Sequence, residues 1–143
     1  MARLVIVSNR VPVPSKREQP AGGLAVVLEE ALKGEVLWFG WSGKRRESDP
    51  AQPSLATKGN ITFATIDLSE AEYRRYYAGF ANRSLWPLFH YRTGLVAYAR
   101  DEYEGYRATN RKFAEALVPL LEPGDLIWIH DYHLIPMARA LRE

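Results

Sequence analysis

Arg10 follows a short apolar run, Leu4-Val5-Ile6-Val7, and two small polar residues, Ser8 and Asn9. A guanidinium carries a permanent charge and a rigid fork of donors that matches a phosphate, so an arginine at the mouth of a strand suits a phosphorylated ligand; a surface salt bridge is the other use of the same group. Ala21-Gly22-Gly23-Leu24 opens a helical pattern. Bare amides at the positive end of a helix can approach a pyrophosphate, although the spacing is not G-x-G-x-x-G and a simple loop-to-helix turn accounts for it equally well. Trp41 and Trp86 can each offer a ring to the apolar face of a sugar or fill a core. Tyr77 can donate its hydroxyl to a phosphate, whereas Tyr73 and Tyr76 read as packing or surface residues. His130-Asp131-Tyr132-His133 closes the last apolar run, and Asp131 can accept hydrogen bonds from sugar hydroxyls. Two histidines beside a carboxylate also invite zinc, but successive strand residues alternate faces and no further histidine cluster completes a shell, so no metal is expected. Neither a glycine-flanked serine nor a paired-carboxylate motif favours hydrolysis.

These residues need a frame, and the pattern supplies one. Leu4 to Val7 reads as a strand buried on both faces of a parallel sheet. From Gly22 to Lys33, Leu24, Val27, Leu28, Ala31 and Leu32 fall on one helical stripe, and Gly34 suits a helix end. Val36 to Trp41 predicts a second strand, Lys44 to Lys58 a polar surface excursion, and Ile61 to Ile66 a third strand. Ser69 with Glu72 has the capping-box spacing for a helix from Glu70. An aromatic-rich piece interrupted by Pro87 follows, then a helix from Glu102 to Leu121 whose last turn Pro119 kinks. Leu126-Ile127-Trp128-Ile129 predicts another buried strand, and a last helix opens near Leu134. Strands alternating with helices give an α/β fold, a Rossmann-like parallel sheet with crossover helices, and on such sheets ligands bind beyond the carboxyl ends of the strands.

Composition narrows the partners. The 143 residues suffice for one domain with a sizeable core, hydrophobic residues being 47%. A net charge of +2 is too weak a field to argue for nucleic acid or an acidic membrane surface. With no cysteine, disulfides and thiolate chemistry are excluded, which fits a reducing, cytoplasmic setting. No run is long enough for a membrane span or a signal-peptide core.

Several segments together, in this order, resemble one family: S-N-R-V-P-V at Ser8 to Val13, A-G-G-L at Ala21 to Leu24, W-F-G-W-S-G at Trp38 to Gly43, Tyr76-Tyr77 with F-A-N-R-S-L-W-P-L-F-H-Y from Phe80 to Tyr91, and I-W-I-H-D-Y-H-L-I-P from Ile127 to Pro136. They are similar to the trehalose-6-phosphate synthases over essentially the whole chain. The resemblance implies a two-domain GT-B glycosyltransferase that moves glucose from UDP-glucose to glucose 6-phosphate with retention at the anomeric carbon, without metal or other cofactor. It implies that residues 1–143 are the acceptor-side, N-terminal Rossmann-like domain, truncated, with the nucleotide-sugar domain absent. Arg10, Tyr77 and Asp131 would hold glucose 6-phosphate, Trp41 and Trp86 would shape its pocket, Trp86 would bear on anomeric selectivity, and Gly22 and Gly23 would meet UDP-glucose. The cations that neutralise the departing UDP lie in the family's second domain, so the chain alone is expected to be inactive and the full-length protein to form a homo-oligomer. Two other readings stay open: a glucosylglycerol-phosphate synthase-like enzyme, and a non-catalytic regulatory or binding module.

Overall fold

The computed structural model describes residues 2–13, 34–47, 49–50 and 52–142. Five strands, β1 (Leu4–Arg10), β2 (Val36–Arg45), β3 (Ser54–Lys58), β4 (Ile61–Leu68) and β5 (Leu126–Ile129), form one sheet in the order β3-β4-β2-β1-β5. β1, β2, β4 and β5 run parallel, and β3 is antiparallel to β4. The expected doubly covered centre is present, since Val5, Ile6 and Val7 are fully buried. Alternation along the strands divides the interior in two. Val5, Val7, Leu37, Phe39, Trp41, Ala64 and Ile66 face a helical layer bearing Tyr76, Tyr106, Phe113, Leu117, Leu134 and Met137. Ile6, Val11, Val36, Trp38, Ile61 and Phe63 form the other cluster, with the Trp38 and Phe63 rings stacked at 6.0 Å.

Two expectations about the sheet need correction. Lys44 to Lys58 is not wholly an irregular excursion, because Ser54–Lys58 pairs with β4 as a hairpin strand. All five of its residues are exposed, so no apolar alternation marks it; a short polar strand is how a sheet edge avoids further pairing. Nor is β5 buried on both sides. Leu126 and Trp128 are 63% and 47% exposed, whereas Ile127 and Ile129 pack on the helical layer. The reason is position: β5 is the outer strand beside β1, and among the described residues the second apolar cluster does not extend over it.

The helical layer begins where the capping box predicts. Ser69 Oγ accepts from the Glu72 amide at 3.1 Å, and the Glu72 carboxylate accepts from the Ser69 amide at 2.7 Å. Lys112 then pins Glu72 at 2.9 Å. α1 (Glu70–Glu72) leads directly into a wider, π-type segment, Tyr73–Leu85, kinked at Gly79, and then into α2 (Trp86–Phe89). The turns continue through Pro87, in the first turn of α2, so it does not interrupt that piece as expected; the Arg83 carbonyl four residues back accepts instead from the Ala97 amide at 2.9 Å. α3 (Arg100–Leu117) stops just before a 3₁₀ turn, Val118–Leu120, because Pro119 has no amide to continue the ladder. After β5 a 3₁₀ turn, Tyr132–Leu134, precedes α4 (Met137–Ala140). The helix expected from Gly22 to Lys33 lies outside the described residues. Among those described, no helix is long and apolar enough to cross a membrane.

Candidate functional site

Because four strands are parallel, the ends of β1, β2, β4 and β5 share one edge, and that edge collects most of the polar residues singled out by sequence. β1 ends irregularly: Ser8 pairs with Gly40 and Arg10 with Trp41, leaving Asn9 as an extra residue. A Cβ at position 40 would overlap the carbonyl of Ser8, so glycine is what lets the strands close at this bulge. Arg10 is exposed, with its guanidinium 5.6 Å from the centre of the Trp41 ring. Beside it Gly43 has φ +87°, and a Cβ there would overlap the guanidinium.

Trp41 is only 5% exposed, and its indole N–H donates to the Lys44 carbonyl at 2.8 Å. Its ring meets Tyr73 at 5.7 Å and Tyr77 at 5.8 Å, so it supports the site from beneath instead of offering an open face. The widened turns of the Tyr73–Leu85 segment send two adjacent tyrosines inward. Tyr76, fully buried, donates its hydroxyl to Asn9 Oδ1 at 2.6 Å and so clamps the bulge. Burial raises its pKa well above the ordinary value, with smaller contributions from neighbouring Tyr106, Tyr77 and Asp131, which keeps the hydroxyl a donor. Tyr77 is half-buried and stacks on His133 at 5.6 Å and 15°.

Asp131 follows β5 with φ 71° and ψ 169°, a backbone conformation almost reserved for glycine and costing about 1–3 kcal/mol. Its Oδ1 accepts from the Tyr132 amide at 2.8 Å, and Oδ2 lies 4.0 Å from Nδ1 of His133. His133 is 8% exposed and packs against Tyr132 at 4.1 Å. Burial holds its imidazole below the ordinary value, against the pull of Asp131. At the third strand end, burial would raise the carboxyl of Asp67, but hydrogen bonds from Ser42 and Arg46 outweigh it and hold it below the ordinary value, tying β2 to β4 with a charged carboxylate.

Arg10, Trp41, Tyr77, His133 and Asp131 therefore form one chain of contacts. Trp86 stands apart, 44% exposed and stacked on His90 at 4.2 Å, although Phe89 of the same helix approaches Tyr132 at 6.3 Å. Gly22 and Gly23 lie outside the described residues. His130 turns to the ring of Trp128, 4.2 Å away, so the two histidines join different stacks. The residues that sequence reading undervalued are supports. Tyr76, read as a packing or surface residue, holds the bulge, and Gly43, noted only within the W-F-G-W-S-G segment, makes room for Arg10. A glycine two residues after a strand-end tryptophan was the available signal for the latter.

The edge thus offers an exposed cation, an exposed carboxylate and a wall of tyrosines, a set suited to a phosphorylated polyol. Residues 2–143 match the model of glycosyltransferase family 20. The chain belongs to that family. A family 20 relative, the trehalose-6-phosphate synthase of Sinorhizobium fredii, is 54% identical over 147 residues, covering all of this chain and 32% of its own length. The crystal structure of an alpha,alpha-trehalose-phosphate synthase (UDP-forming) from Burkholderia vietnamiensis superposes with a TM-score of 0.91 at 48% identity, over 99% of this chain and 31% of that one. A synthase from Burkholderia xenovorans in complex with glucose-6-phosphate gives 0.83 at 45% identity, over 99% and 30%. The chain thus spans about a third of the length of these family members.

Proposed function

We propose that these residues are the acceptor-side, N-terminal part of a retaining glycosyltransferase that moves glucose from UDP-glucose to glucose 6-phosphate, giving trehalose 6-phosphate and UDP. The observation that carries this reading is the unbroken chain of contacts from Arg10 through Trp41, Tyr77 and His133 to Asp131, at the carboxyl edge of a sheet shared with UDP-forming synthases. Within it, Arg10 pairs with the phosphate and Tyr77 adds a hydroxyl to it, Asp131 accepts from the sugar hydroxyls, and Trp41 backs the pocket. Trp86 closes the outer side, where it bears on anomeric selectivity, and Gly22 and Gly23 meet the donor. The leaving diphosphate is neutralised by groups beyond this segment, in a nucleotide-sugar domain of the full-length protein. That protein is proposed to be a cytoplasmic homo-oligomer with these two small-molecule partners and no nucleic acid or membrane partner.

Arg10→Ala in the full-length synthase tests the assignment. Losing a charge-assisted contact to phosphate is expected to raise the KM for glucose 6-phosphate by about ten- to a hundredfold while leaving that for UDP-glucose nearly unchanged. An equal loss for both substrates would overturn the role given to Arg10. A preference for glycerol 3-phosphate as acceptor would favour the glucosylglycerol-phosphate enzyme instead.

A further inference from the structure

His133 has polar atoms with nothing to bond. It is 8% exposed, yet among the described residues neither Nδ1 nor Nε2 has a hydrogen-bond partner. Leaving a buried polar group unpaired costs about 1–3 kcal/mol, and the large majority of such groups are paired. The ring is nevertheless held with care. Tyr77 stacks at 5.6 Å, Tyr132 at 4.1 Å, and Tyr76 meets it at 6.4 Å and 62°. From behind, Asn110 donates its amide to the His133 carbonyl at 3.0 Å, and Tyr106 donates its hydroxyl to the Tyr132 carbonyl at 2.6 Å. Among the described residues, the titratable groups around the imidazole are therefore Tyr76, Tyr77 and Tyr132, with Asp131 the charged group facing it.

The distance from Nδ1 to Asp131 Oδ2, 4.0 Å, is just beyond hydrogen-bonding range. Asp131 meanwhile spends Oδ1 on the adjacent Tyr132 amide and carries a strained backbone. Hydrogen bonds that serve a site often reach full length and alignment only around the substrate. We propose that His133 is a positioning residue: its Nδ1–H closes onto Oδ2 of Asp131 when the acceptor arrives, fixing the carboxylate at the angle that receives the sugar hydroxyls. The inference rests on the reading of Asp131 as an acceptor-sugar ligand. His133 itself acts through Asp131 and makes no contact with the reacting atoms.

The test compares three variants of the full-length synthase. His133→Phe keeps a flat ring between Tyr77 and Tyr132 but has no N–H, whereas His133→Asn restores a donor near the position of Nδ1. The phenylalanine variant is expected to raise the glucose 6-phosphate KM by about tenfold or more, one hydrogen bond to a charged group, with the UDP-glucose KM unchanged, and the asparagine variant to recover most of it. Arg10→Ala is run beside them. If it raises the acceptor KM while His133→Phe leaves it unmoved, or if asparagine is no better than phenylalanine, the positioning role is wrong and the site stands. If Arg10→Ala also moves nothing, the underlying site reading fails. Should the variants fold poorly, nitrogen NMR of the wild-type imidazole decides: saturating glucose 6-phosphate must shift Nδ1 to a protonated, hydrogen-bonded signal, and an unchanged spectrum overturns the proposal.

Discussion

Gly43→Ala perturbs Arg10 without touching it chemically. At φ +87° an L-residue is strained by about 1–2 kcal/mol, and the added methyl would occupy the space of the Arg10 guanidinium. The obstructing group is the far end of a flexible, exposed side chain, so Arg10 swings aside and the backbone stays. Stability then falls by the backbone strain and by the lost contact with the face of Trp41, worth about 0.5–1 kcal/mol at an exposed site, several degrees in Tm. Ligand binding falls as well. Arg10 loses the angle at which the guanidinium meets a phosphate, worth about 1.5–3 kcal/mol. In the full-length synthase, with UDP release followed at saturating UDP-glucose, the glucose 6-phosphate KM should rise by about tenfold, with Arg10→Ala as the ceiling. The double variant should be no worse than Arg10→Ala, because both act through one group. Full additivity of the two effects would show that Gly43 does not position Arg10, and the reasoning would fall.

Tyr76→Phe removes a buried hydroxyl and orphans Asn9 Oδ1, so unfolding free energy should drop by about 1–3 kcal/mol in urea titration. Asp125→Ala breaks the fork from Arg3, whose Nε and Nη2 donate to the carboxylate at 3.0 and 2.7 Å, and should cost about 1.5–3 kcal/mol by the same assay. The Arg3 hydrogen bond holds the Asp125 carboxyl below its ordinary value of 3.8, so its contribution is complete above that pH and disappears as pH falls through the lower folded value; the gap between wild type and Asp125→Ala should narrow there.

Periodicity revealed the parallel strands because β1 and β2 are buried on both faces and open as unbroken apolar runs, and β4, equally buried, is broken only by the β-favouring Thr62 and Thr65 before Asp67. The same rule misled for β5, whose composition is equally apolar but whose burial depends on what lies outside it, a property no local pattern carries. β3 escaped notice for the opposite reason, being exposed along its whole length and paired with β4 through its backbone. At the site, the rule that ligands gather at carboxyl strand ends picked out Arg10, Trp41 and Asp131, since chain position alone decides which residues stand there. Tyr76, read as a packing or surface residue, gave no sign of its hydroxyl's bond to Asn9, because a widened helical turn alters which side chains face inward and leaves no sequence mark.

The unpaired Asn9 has a consequence for parity. Along β1 inward and outward positions alternate, so in an uninterrupted ladder residue 9 would sit opposite Trp41 and Arg10 would project to the reverse side of the sheet. One additional residue resets the phase, and the positive charge emerges on the same side as Trp41 and the tyrosines. Deleting Asn9 would leave Arg10 directly opposite Trp41 in a regular ladder, so the charge would stay on that side and only the clamp from Tyr76 would be lost, whereas a ladder that kept Asn9 but straightened the bulge would carry the charge to the other side.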